Sequence, residues 1–182
     1  MRKWMQPISA LVVGLCLIWL SGCGEVPAEA AEADGTLPPG YSIVATTGMV
    51  GAIAEAVAGP DATVDVLIGP GTDPHLFQPS RTSLNALAAA DVILYNGLHL
   101  EGKMTDVLVR LARDGKLVLA VTEAIQSRDD YVITEAEGGF DPHVWMDVRG
   151  WQTAVGVVAD ALAEGDPPRA AAYQERATAY RA

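Results

Sequence analysis

Two short stretches carry the residues most able to do chemistry: "GTDPHLFQPS" and "FDPHVWMD". Each contains Asp-Pro-His, at Asp73-Pro74-His75 and at Asp141-Pro142-His143, and these use two of the chain's 3 histidines. A neutral imidazole is a common ligand for Zn, Mn, Fe, Ni and Cu. Proline fixes its own φ and holds the preceding residue extended, so Asp-Pro stiffens the backbone before the histidine. The aspartate can accept a nearby backbone N–H or support the imidazole itself. A single Asp-Pro-His reads first as a surface turn. The repeat shifts the reading toward half of a metal site, with His75 and His143 as candidate ligands. Two imidazoles do not complete a site, since structural zinc takes four protein ligands and catalytic zinc about three. His99, in "NGLHLEGKM", stands alone and reads as a structural or surface residue. Glu101 and Lys103 beside it read as a solvated helix start, and Asp147 as a helix N-cap.

The elements that position these loops alternate. "SIVAT" (Ser42 to Thr46), "TVDVLI" (Thr63 to Ile68), "DVILY" (Asp91 to Tyr95) and "KLVLAV" (Lys116 to Val121) read as strands. "MVGAIAEAVAG" reads as a helix closed by Gly59-Pro60, and another runs from about Thr82 to Ala90. A third carries Met104, Val107, Leu108 and Leu111 at helical spacing and ends at Gly115. Asp147 starts a helix with Trp151, Val155, Val158 and Leu162 on one face, and Asp166-Pro167 reads as N-cap and first turn of a last helix. The pattern predicts an α/β fold: a parallel sheet of apolar strands flanked by helices on both faces. Ligands in such sheets bind at the carboxyl ends of the strands, where both loops fall. Trp145 and Trp151 read as packing beside the site. Glu123, Asp129, Asp130, Glu135 and Glu137 read as an exposed acidic loop.

The 182 residues suffice for one ordinary domain with a core; half are hydrophobic and 19% are charged, as in a globular protein. A net charge of -11 argues against nucleic-acid or anionic-membrane partners. The N-terminus reads as a targeting segment. Arg2 and Lys3 precede an apolar run from Ile8 to Leu20, shorter than the roughly 20 residues of a membrane span. It ends in Leu20-Ser21-Gly22-Cys23, which resembles the bacterial lipobox. The reading is a lipoprotein signal peptide over 1–22 with Cys23 as the lipidated first residue of the mature chain. Cys16 falls in the removed segment, leaving no disulfide. Residues 23–40, rich in Ala, Glu, Pro and Gly, read as a flexible tether.

The ordered motifs "IVATTGMVGAIAEAVAG", "VLIGPGTDPHLFQPS", "ADVILYNGLHLEGKM" and "DPHVWMDVRGW" resemble the metal-binding solute-binding lipoproteins of bacterial ABC importers, the zinc/manganese group. The resemblance covers nearly all of Tyr41 to Ala182. It implies that 41–165 form the N-terminal, metal-binding lobe of a two-lobed protein and that 166–182 begin the long inter-lobe helix. It implies that His75 and His143 are two of four metal ligands, the other two coming from a second lobe. That lobe is not among these residues, so the chain reads as a truncated form. Two ligands alone are expected to hold metal weakly, on a face left exposed and apolar. The implied function is capture, without catalysis, of a divalent transition metal (Mn or Zn) and its delivery to an ABC permease from the outer face of a membrane. No organic cofactor is implied. Zinc-specific members carry a His-rich loop before the second motif; Thr122 to Phe140 has no histidine, which favours manganese or a general divalent-metal importer. Two other readings are a metal-independent adhesin or surface lipoprotein and a metallohydrolase with Asp141 or Glu101 as base, although no His-Glu-x-x-His motif is present.

Overall fold

A computed structural model describes residues 36–127 and 140–182. The expected signal peptide, Cys23, most of the tether, and Asp129, Asp130, Glu135 and Glu137 lie outside the described residues. Four strands form one sheet: β1 (Tyr41–Thr47), β2 (Ala62–Ile68), β3 (Val92–Tyr95) and β4 (Leu117–Ala120). Every pairing is parallel and the order is β2-β1-β3-β4. The chain steps to opposite sides of β1 for β2 and β3, which makes the carboxyl end between β1 and β3 the topological switch point.

Five helices cover the sheet: α1 (Gly48–Ala58), α2 (Arg81–Ala89), α3 (Thr105–Arg113), α4 (Val148–Gly165) and α5 (Ala170–Arg181). Strand alternation sorts them between the faces. Tyr41, Ile43 and Ala45 of β1 point into a core with Val50, Ile53 and Val57 of α1, Val155, Val158 and Leu162 of α4, and Tyr173 and Ala177 of α5. Val44 of β1 and Ile93 of β3 point the other way, to Leu87 of α2 and to Met104 and Leu108 at α3. The expected double-sided cover holds at the centre and fails at one edge. β2 is apolar in sequence but largely uncovered, with Val66 42% exposed, because an edge strand has a neighbour on one side only. Where α1 crosses it, Gly51 allows close approach: a Cβ there would stand 2.7 Å from Cγ2 of Val66, which would have to shift.

Capping follows local chemistry at three helices. Thr47 accepts from the N–H of Val50, Ser80 from Ser83, and Asp147 from Arg149 and Gly150. Asp166 takes the expected N-cap position, with Pro167 in the first turn, but its side chain is used elsewhere. The chain enters a 3-10 turn at Pro167–Arg169, and the Asp166 side chain makes no cap bond. Its buried carboxylate instead accepts from Arg169 Nε and from the Tyr173 hydroxyl at 2.5 Å. Tyr41 donates to Tyr173 at 3.2 Å, and burial followed by that hydrogen bond pushes the Tyr41 phenol well above its ordinary value. Side-chain donors one and two turns on replace the cap bond, because a carboxylate that is 98% covered needs charged or hydroxyl donors, which Arg169 and Tyr173 supply. The network ties the start of α5 to the first strand, and α5 lies against α4 and α1.

Candidate metal centre

The first loop leaves β2 at Gly69 and ends where Ser80 caps α2. Within it the Asp73 carboxylate accepts the His75 backbone N–H at 2.9 Å. Leu76 N–H then bonds the Asp73 carbonyl at 3.2 Å and Phe77 N–H the Pro74 carbonyl at 3.4 Å, so the tripeptide is a tight turn. Phe77 packs on the cluster of Val44, Leu87 and Met104 and pins the loop to the sheet, while His75 stays exposed.

The second loop repeats the turn with more support. The Asp141 carboxylate accepts the His143 backbone N–H at 2.9 Å and meets Nδ1 of its ring at 2.6 Å. The backbone bond first, and then the ring, hold the Asp141 carboxyl below the usual carboxylate range. An ionised carboxylate at Nδ1 keeps the proton there and leaves the Nε2 lone pair free, the arrangement by which ligating imidazoles are oriented. Pro142 is buried, and its carbonyl accepts Nδ2 of the buried Asn96 at 2.9 Å. Val144 is buried beside Leu98 and Ile125, and the Trp145 ring meets His143 edge-on with centroids 5.2 Å apart.

The two loops bring their imidazoles together. Nε2 of His75 lies 3.4 Å from Nε2 of His143, with ring centroids 5.4 Å apart. Two imidazole nitrogens bound to one tetrahedral ion at about 2.0–2.1 Å stand roughly 3.3–3.4 Å apart. The spacing, with Asp141 at Nδ1 of His143 and both Nε2 atoms facing each other, therefore fits a shared divalent cation. Among the described residues, no group of three or more His, Cys, Asp or Glu side chains is disposed to hold a metal.

His99 is exposed and lines a cavity of about 330 Å³ with His75, Leu98, Glu123, Gln126, Phe140 and Pro142. Lys103 is solvent-exposed as read. Glu101 is not: it is 3% exposed and accepts from Thr46 Oγ1 at 2.6 Å, Asn96 N–H at 2.7 Å and Gly97 N–H at 3.2 Å. Those donors explain how a carboxylate lies buried behind a turn. The turn itself is unusual, with positive φ at Gly97 (90°), Leu98 (51°) and His99 (63°). At Gly97 glycine is also needed for room, since a Cβ would stand 3.1 Å from Ala120 Cβ and from Glu123 Cγ. Asn96 is the supporting residue that sequence reasoning missed. It joins the end of β3 to the second loop, and its Oδ1 is buried without a partner. The signal was the Asn-Gly pair closing a strand, read only as a turn.

Apolar side chains are exposed next to both histidines in the chain. Leu76 is 69% exposed, Met146 80% and Val148 73%.

Fold and geometry together define a class: a parallel α/β lobe that presents paired imidazoles at the carboxyl edge of its sheet. Residues 43–182 match the family model of the zinc-uptake complex component A periplasmic, ZnuA, and the chain belongs to that family, one of metal-uptake components. It is 39% identical over 163 residues to the manganese-binding lipoprotein MntA of Bacillus subtilis, covering 89% of this chain and 51% of that protein. It is 41% identical over 138 residues to the zinc-binding protein TroA of Treponema pallidum, covering 76% of this chain and 44% of TroA. The solved structure of that periplasmic zinc-binding protein superposes with a TM-score of 0.72 at 38% identity, over 78% of this chain and 50% of the other. The chain thus spans about half the length of the curated relatives it matches.

Proposed function

We propose that these residues form the metal-binding lobe of a lipid-anchored, extracytoplasmic solute-binding component of an ABC importer. It captures a divalent transition metal, Mn or Zn, through His75 and His143 and presents it to a membrane permease. The metal is cargo, and the lobe binds it without turnover. One observation carries the reading: Nε2 of His75 and Nε2 of His143 lie 3.4 Å apart, with the second ring oriented by Asp141. The relatives add support, since one is named for manganese and another for zinc. Cys23 is the proposed anchor, tested by lipid labelling of the chain and of Cys23→Ala in a bacterial host.

The direct test is titration of the chain with Mn²⁺ and Zn²⁺ by calorimetry, beside His75→Ala and His143→Ala. Each substitution is expected to abolish the wild-type isotherm. Binding that survives the loss of both imidazoles would falsify the reading.

A further inference from the structure

We infer that Glu101 is a positioning residue for the metal site: its buried carboxylate fixes a left-handed turn that places the histidine loops. This rests on the reading of His75 and His143 as metal donors and adds what sets them before metal arrives. The backbone at Gly97, Leu98 and His99 runs at φ 90°, 51° and 63°. Glycine adopts that region freely, whereas two consecutive residues with a Cβ do so against a steric cost. Such a run persists only where its surroundings over-determine it. Glu101 supplies the constraint. Its Oε1 accepts the Thr46 hydroxyl at 2.6 Å and the Asn96 N–H at 2.7 Å, and its Oε2 accepts the Gly97 N–H at 3.2 Å. The carboxylate thus fastens the start of the turn to the end of β1. Within 96–101 every residue but His99 is buried, or tightly flanked by residues that are, and His99 stands out between buried Leu98 and Leu100.

The turn grips the second histidine loop on both sides of its imidazole. The Asn96 amide donates to the Pro142 carbonyl at 2.9 Å, and Leu98 packs in one cluster with Val144. His143 lies between those two grips. The same amide nitrogen donates to the Gly97 carbonyl at 3.0 Å, so the group that reaches the second loop is itself oriented by the turn. On the side of the first loop, Leu98 and His99 line the cavity of about 330 Å³ beside His75. A loosened turn therefore frees residues 142 and 144 together and changes the wall next to His75. Glu101 acts through Asn96 and Leu98, at one remove from the imidazoles.

The test uses the full chain in mild nonionic detergent. It measures Zn²⁺ affinity by calorimetry and, in the metal-free protein, the His143 ring signals by NMR. Glu101→Gln sets an amide against one of the three donors. It should weaken Zn²⁺ binding by about tenfold, as for loss of a supporting contact. The His143 ring signals should shift before any metal is added. Glycine at position 99 removes the steric cost of the turn, whereas alanine keeps it. In a His99→Gly background the loss caused by Glu101→Gln should shrink to within about threefold, and in a His99→Ala background it should stay near about tenfold. A folded Glu101→Gln chain with wild-type affinity and unmoved His143 signals overturns the assignment, leaving Glu101 a purely structural residue. If Glu101→Gln does not fold, Thr46→Val takes its place: it removes one donor, keeps the carboxylate, and should move the same signals with a smaller loss, and unmoved signals there overturn the assignment equally. Equal losses in the glycine and alanine backgrounds overturn the turn as the route. A wild-type chain that takes up no Zn²⁺ overturns the reading of the histidines as donors, and the ring signals then decide separately whether Glu101 places His143.

Discussion

The two Asp-Pro-His loops are alike in sequence and unlike in support. Both fold into the same turn, with the aspartate accepting the histidine N–H at 2.9 Å. The second loop is then held from every side: Asp141 on the ring, Asn96 on the Pro142 carbonyl, Val144 in the core and Trp145 beside the imidazole. The first is exposed along most of Gly71–Ser80 and is pinned chiefly through Phe77. Local sequence sets the turn, and tertiary contacts set its stiffness. In the proposed metal site the difference makes His143 the fixed jaw and His75 the adjustable one.

The largest effect should not distinguish the jaws at all. His75→Ala and His143→Ala each remove one of two donors, so both should drop metal affinity by about 100-fold or more, measured by calorimetry. A His75→Ala chain that binds like wild type would reduce the clamp to one jaw. The next effect should separate them. Asp141→Asn keeps the backbone turn but removes the charge that holds the Nδ1 proton, and should weaken binding by about 10–100-fold. Asp73→Asn loses no comparable ring contact and should stay within about threefold. Equal losses would mean that the carboxylates act only through their turns.

Much of this was legible in the sequence, and the exceptions share a cause. The four parallel strands, the cap at Asp147 and the meeting of His75 with His143 follow from apolar runs, cap chemistry and a repeated tripeptide, whereas the order β2-β1-β3-β4 was not read. Glu101 was misread because it carries a local signature of solvated chemistry. One of its three donors comes from far along the chain: Thr46 lies 55 residues before Glu101. β2 was misread for the related reason that an apolar run does not say whether its strand ends up central or at an edge.

Asn96 tests the fixed jaw from behind. Its amide donates to the Pro142 carbonyl, so Asn96→Asp would set a carboxylate against that oxygen in a buried place beside Glu101. Affinity should fall about tenfold, as for loss of a supporting contact. The ring signals of His143 should shift in NMR spectra while the backbone of 71–80 stays put. A change confined to the first loop would sink the assignment of Asn96 to the second.

The smallest effect on binding is expected one turn further on. Asp147 caps α4 four residues after His143, accepting from Arg149 at 2.8 Å and Gly150 at 3.1 Å. Asp147→Ala should therefore lower stability in urea by about 1 kcal/mol, the usual worth of such a cap. Metal affinity should change by less than about twofold, because the ring is oriented by Asp141 and the loop by Asn96, and neither bond involves the cap. A loss as large as that of Asp141→Asn would redraw the comparison. The fixed jaw would then owe its rigidity to the end of α4, and the contrast between the loops would be that one precedes a long, well-packed helix and the other a short one.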